Sequence, residues 1–128
     1  MKKRPTPFAK KQKVVWTLEQ GLKLLRFLQP KVRQFNYHVA IGGGVVNRGF
    51  STKDIDFYFL PLLNSSEATD SGGLLEFLTE QLGAWEVIGP GFEITDNYEV
   101  TQDDHLFEKG KFKFNYKGKK RIDCFIAS

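Results

Sequence analysis

The 128-residue chain is 41% hydrophobic and 27% charged, the mix of a soluble globular domain long enough for one modest core. A single cysteine, Cys124, excludes an intrachain disulfide and a cysteine-built zinc cluster, and no apolar run reaches the roughly 20 residues of a membrane span. The formal net charge of +4 hides a sharper pattern: six of the 19 Lys and Arg residues lie in 1–13 and seven in 109–121, while Asp54 to Glu108 holds 13 acidic residues and no basic one. Cationic ends of this kind point toward a polyanionic partner such as nucleic acid.

Met1-Lys2-Lys3-Arg4-Pro5 is basic, but no apolar segment follows it as a secretory signal requires. With the lone cysteine, this gives an expected cytoplasmic location. Residues 1–13 have no periodicity and are expected to be a basic flexible arm, leaving 14–128 as a single domain. From Thr17 the spacing of Leu18, Leu22, Leu25, Leu28, Val32 and Phe35 is helical. Thr17 is the expected N-cap, with Gln20 three residues on as in a capping box. Pro30 either kinks this helix or opens a second one. Tyr37 to Ile41 reads as a buried strand, and Gly42-Gly43-Gly44 as a turn where backbone can approach something closely. Val45 to Arg48 has room for about one helical turn.

In the next strand, Asp54 to Leu60, Ile55, Phe57 and Phe59 alternate with Asp54, Asp56 and Tyr58. A strand has period two, so both carboxylates stand on one face while the apolar residues enter the core on the other. Pro61 ends that strand. Residues 64–73 form a polar loop, and Leu74, Leu75, Phe77, Leu78 and Leu82 support a second helix ending near Gly83. Trp85 to Ile88 reads as a short strand before the turn Gly89-Pro90-Gly91. Residues 92–108 are ambiguous, with strand hints at Tyr98, Val100, Leu106 and Phe107. Phe112, Phe114 and Tyr116 alternate with lysines, and a turn at Lys117-Gly118-Lys119 leads into Arg121 to Ile126, an antiparallel hairpin. In its last strand Asp123 and Phe125 share one face, and Ile122, Cys124 and Ile126 the other.

A sheet that places this last strand beside Asp54–Leu60 brings Asp54, Asp56 and Asp123 together. Three carboxylates that close repel one another unless a cation sits among them. Two Mg²⁺ ions in such a site would bind triphosphate oxygens, orient the reacting groups and lower the pKa of an attacking hydroxyl. Singly, an Asp-x-Asp triplet, a glycine cluster and an aspartate near the end of a chain are commonplace. Their order along the chain is what makes them specific.

In that order the residues resemble the nucleotidyltransferase superfamily with its polymerase-beta-like catalytic core. The shared signature is a Gly-Gly turn at Gly43-Gly44, about ten residues, then Asp54-Ile55-Asp56, and a third aspartate, Asp123, on a later strand. The Ser51-Thr52-Lys53-Asp54-Ile55-Asp56 run is similar to the heads of CCA-adding enzymes and to small stand-alone nucleotidyltransferase proteins. The resemblance spans about Leu18 to Ile126, although only 39–59 is specific. It implies an α+β minimal nucleotidyltransferase fold, with a mixed, mainly antiparallel sheet and helices on one face. It implies an enzyme moving a nucleoside monophosphate from an NTP such as ATP to a hydroxyl, with release of pyrophosphate. Asp54, Asp56 and Asp123 would bind Mg²⁺ or Mn²⁺, and Asp123 would help deprotonate the acceptor. Gly43 and Gly44 would cradle phosphates, with Arg48, Ser51 and Lys53 near enough to add contacts; Lys53 equally well pairs with an aspartate.

The chain departs from the family in three ways. The family usually carries a helical domain after the core, whereas here about five residues follow Asp123, so a homo-oligomer or a partner subunit is expected to supply it. The Arg-Asp pair that follows the glycines in CCA-adding heads is replaced by Asn47-Arg48. The loop at 64–73 has no counterpart. The acceptor is expected to be RNA or a protein, RNA being preferred because Lys111, Lys113, Lys117, Lys119, Lys120 and Arg121 flank Asp123 and the interleaved Phe112, Phe114 and Tyr116 could stack bases. Those aromatics equally well make the core face of a hairpin. Two other functions fit the sequence: a non-catalytic binding or regulatory module of antitoxin-like kind, and a nucleic-acid-binding domain without nucleotide chemistry. His38 and His105 read as structural or surface residues.

Overall fold

Thr17 caps the first long helix as its sequence dictates. Its hydroxyl accepts from the Gln20 N–H at 3.2 Å, and the Gln20 carboxamide accepts from the Thr17 N–H at 3.0 Å, so the two satisfy each other's orphan donors. The structure, a computed structural model, describes residues 13–62, 68–89, 91–94, 100–103 and 110–127. All but the last residue of the expected basic arm lies outside them, as do Tyr98, His105, Leu106, Phe107 and residues 64–67 of the polar loop. Helix α1 (Leu18–Val32) runs through Pro30, and a 3₁₀ turn at Arg33–Phe35 follows it. Pro30 lies inside the last turn of this one continuous helix and does not open a second. Asn36 then takes a left-handed conformation (φ 64°), turning the chain into the sheet.

The sheet has five strands in the order β2 (Tyr37–Gly42), β4 (Asp54–Pro61), β9 (Lys120–Ile126), β8 (Gly110–Tyr116), β5 (Trp85–Gly89). Only the β4–β9 pair is parallel, so the fold is α+β with a mixed, mainly antiparallel sheet. The registers align Ile55 with Ile122, Phe57 with Cys124 and Val39 with Phe59, which builds one apolar face from alternate residues of each strand. Helix α1 lies on that face, with Gly21 against Ile41 and Ile55. Helix α3 (Ser71–Leu82) adds Leu74, Leu75, Leu78 and Leu82 to the same core. Between β2 and β4 the chain makes a single helical turn, α2 (Gly44–Arg48).

Helix α3 begins inside the expected polar loop. The Asp70 carboxylate accepts from the Gly73 N–H at 2.9 Å, so Ser71, Gly72 and Gly73 form the first turn despite their poor intrinsic helix propensity. Two further strand pairs carry no clear sequence signal. Strand β1 (Trp16–Thr17) pairs with β3 (Phe50–Ser51), fastening the entry of α1 to the segment that leads into β4. Strands β6 (Gly91–Ile94) and β7 (Val100–Asp103) form a separate antiparallel ribbon within the stretch that the sequence left ambiguous. No helix among the described residues is long and apolar enough to cross a membrane.

Candidate active site

Strand pairing alone brings the carboxylates together. Parallel pairing of β4 with β9 sets Asp56 opposite Asp123 and Asp54 opposite Arg121, all on the face away from the helices. On the other side of β4, Gly42 is opposite Asp56, which brings the glycine turn to the same point. One carboxylate oxygen from each of Asp54, Asp56 and Asp123 lies within 4.8 Å of the other two. That spacing suits one or two divalent cations bridged by oxygen ligands.

Gly43 packs directly against this cluster. Its φ of +80° is in the left-handed region, and a Cβ there would run into the Asp56 carboxylate, so only glycine lets the main chain come this close. The Arg48 guanidinium folds back over Gly44 and sits 5.7 Å from the centre of the Phe50 ring. Lys53 is exposed, and its charge helps hold the Asp54 carboxylate ionised. Ser51 is buried, and its hydroxyl accepts from the N–H groups of Lys53 and Asp54 at 3.2 Å each. In this structure Ser51 therefore shapes the loop that delivers Asp54 to the sheet.

The electrostatics are those of crowded anions. Burial first, then the neighbouring Asp54 and Asp123 charges, push the Asp56 carboxyl up to about 6, with Lys111 and Arg121 pulling the other way. Asp54 is raised for the same reasons, burial leading and Asp123 next. Tyr58, stacked on Phe125 at 4.6 Å between ring centres, is also raised, by burial and then by Asp56.

Arg121 is the residue whose role the sequence reading missed. Its Nε donates to Asp123 Oδ1 at 2.7 Å and its Nη2 to Oδ2 at 3.2 Å, a two-pronged grip on a carboxylate only 2% exposed. The same Nε lies 3.8 Å from Asp54, and Lys111 stands 3.8 Å from Asp123. A signal for this was present: Arg-x-Asp on a strand puts both side chains on one face. The expected RNA-contacting set changes accordingly. Arg121 and Lys111 face the carboxylates, Lys113 pairs with Glu86 at 3.2 Å, and Phe112 and Phe114 are fully buried in the core, where no base can reach them. Cys124 is buried on the core face, away from Asp123, and burial raises its thiol well above the ordinary range. His38 lies opposite Leu60, four residues along the strand from Gly42, while His105 is outside the described residues.

No protein-family model matches the chain, and no curated protein sequence does. Among solved structures it is similar to the crystal structure of Leishmania infantum polymerase beta in a ternary P/T complex, with a TM-score of 0.53 and 17% sequence identity. The match covers 94% of this chain and 46% of that one, so the chain spans about half the length of the polymerase. At this level of identity the likeness establishes the fold alone, one shared with polymerase beta.

Proposed function

We propose that the chain is a metal-dependent nucleotidyltransferase that moves a nucleoside monophosphate from an NTP to the hydroxyl of an acceptor, RNA being the acceptor its basic surface fits. The observation that carries this reading is the meeting of Asp54, Asp56 and Asp123 beside a glycine turn, on a fold shared with polymerase beta.

The donor set fits Mg²⁺ or Mn²⁺: hard carboxylate oxygens, closely spaced, with two of the three carboxyls disposed to shed excess negative charge. Asp54, Asp56 and Asp123 would hold the ions. Bound there, they supply charge neutralisation at the phosphates and a lowered pKa for the acceptor hydroxyl. The chain's own contribution is placement. Gly43 and Gly44 let phosphate oxygens approach the main chain, with Arg48 and Lys53 at the rim and Ser51 holding the loop. The acceptor oxygen forms a bond to the α-phosphorus, the bond from that phosphorus to the bridging oxygen breaks, and pyrophosphate departs. The acceptor proton passes to a carboxylate oxygen of the cluster. Arg121 fixes the orientation of Asp123 and takes one lone pair on each of its oxygens, leaving others for an ion.

The test is transfer of radiolabel from α-labelled NTPs to RNA in the presence of Mg²⁺. The wild-type chain should label the acceptor, and Asp56→Asn should reduce labelling by at least about a hundredfold, the scale on which one electrostatic contact to the transition state counts. Full activity in Asp56→Asn would sink the assignment. A second reading, a non-catalytic binding or regulatory module, is favoured by one observation: Arg121 and Lys111 already supply counter-charge to Asp123. Calorimetry with a non-hydrolysable triphosphate separates the two, because only the transferase needs divalent-ion-dependent binding.

A further inference from the structure

A second concave site lies on the helix-covered side of the sheet, away from the carboxylates. It is a cleft of about 640 Å³ between helix α1 and the β8–β9 turn, with Gln81 also in its lining. Gln20, Lys23, Leu24 and Phe27 form its first wall, a single stripe because residues three and four apart share a helix face. Tyr116, Lys117, Lys119 and Lys120 form the second, and Trp16 lies between them. No acidic side chain lines the cleft among the described residues.

Its chemistry combines cations with π surface. Trp16 and Tyr116 are stacked, 6.1 Å between ring centres, and the Lys120 ammonium stands 4.6 Å from the centre of the Trp16 ring. Lys117 stands 5.3 Å from the centre of the Tyr116 ring. Phe27 is 42% exposed, a large apolar side chain left at the wall of the cleft. Lys117 is also held at φ +54°, beside Gly118 at +70°, in the turn position where Asn, Asp or Gly is ordinarily found. A lysine there adopts a left-handed conformation that disfavours it by about 1 kcal/mol, an outlier that directs attention to its charge.

We propose that this cleft binds single-stranded nucleic acid, with phosphates on the lysine walls and a base against Phe27 and Leu24. Charge complementarity selects this occupant. Four lysines without an acid repel the chain's own N-terminal segment, whose residues 1–13 carry six Lys and Arg. The cleft's volume suits a nucleotide, and an exposed aromatic beside cations, here Phe27, is how unpaired strands are held without sequence preference. Binding itself does not depend on the carboxylates; that the bound strand is the acceptor does rest on the nucleotidyltransferase reading.

The experiment is fluorescence anisotropy on the full chain in EDTA, with labelled oligouridylate and oligothymidylate of about twelve nucleotides. Lys23→Gln/Lys119→Gln, at two exposed positions, should weaken binding about tenfold and lower the log–log salt slope by about 1.4. Phe27→Ala should weaken it by about fivefold or more, as loss of one stacked base would. Lys117→Asn should weaken binding while raising the melting temperature, because Asn suits the turn better. Strand binding by the wild-type chain without label transfer in Mg²⁺ would defeat the catalytic reading and leave this one standing. Binding by the double variant within twofold of wild type would overturn the proposal, since the strand would then be held elsewhere. Displacement of the oligonucleotide by polyglutamate at equal charge would overturn it too, by showing a site that reads charge alone. A second copy of the chain filling the cleft, seen as a dimer that oligonucleotide does not dissociate, would also count against it.

Discussion

The two faces of the central sheet are made by alternate residues of the same strands, and they meet opposite requirements. Along β4 the eight residues alternate half-buried and buried without a break. Ile55, Phe57 and Phe59 lie at no more than 1% exposure under helices α1 and α3, while Asp54, Asp56 and Tyr58 stand on the open side. The core face gains stability by excluding water; the open face gives some up by crowding three carboxylates within 4.8 Å. A residue's neighbour in sequence therefore says little about the cost of changing it.

Substitutions at adjacent positions sharpen that contrast. The largest effect is expected on the core face: Phe57→Ala leaves a cavity under the helices and should cost about 3–5 kcal/mol by denaturant unfolding. An exposed-site value below about 1 kcal/mol would mean that the core is not packed as described. Next is Arg121→Gln, which leaves Asp123 buried with a weaker partner. It should cost about 2 kcal/mol at pH 8, with Lys111 cushioning the loss, and the deficit should shrink when Mn²⁺ is added. A deficit indifferent to Mn²⁺ would argue against ion binding at these carboxylates.

Asp56→Asn should move stability in the other direction, by a smaller amount. The folded-state pKa of Asp56, about 6, lies above its ordinary 3.8. Between those values the folded chain holds more protons than the unfolded one, so stability falls as pH rises through the window and stays lower above it. Asn removes that penalty. The variant should melt a few degrees higher than wild type at pH 8, roughly 3 °C, with a flatter stability profile from pH 4 to 7 and no thermal shift with Mn²⁺. Equal melting temperatures for the two proteins at pH 8 would contradict the crowding. The smallest effect belongs to a site on neither face. Thr17→Ala removes a helix cap and should cost about 1 kcal/mol without altering the pH profile.

Much of this was legible in the chain. Helix α1 with its Thr17–Gln20 box, the Gly42–Gly44 turn, the β8–β9 hairpin and the two-faced pattern of β4 all follow from local rules, because capping, turns and period-two alternation involve residues near in sequence. The start of α3 was misplaced because Gly72 and Gly73 look like loop, while the carboxylate that overrides them is on Asp70, just before the helix. The two-residue β1–β3 ladder is too short to leave any periodicity. The basic strands were misjudged in part. Alternation of lysine with phenylalanine correctly gave a core face and a polar face, but it could not say which lysines would look across the sheet at an acid.

By itself, the order of residues determined which side chains share a strand face and where the chain can turn tightly, since both depend only on bond geometry and spacing. It thereby placed Asp54 beside Asp56 and set the glycines one short helix before them. What the tertiary structure alone decided was the company each group keeps. Parallel pairing of β4 with β9 spans more than sixty residues of sequence and brings Asp123 and Arg121 to the cluster, and the meeting of α1 with the β8–β9 turn makes the basic cleft. Those encounters are fixed by burial of one shared apolar core, a property of the whole chain that no local window contains.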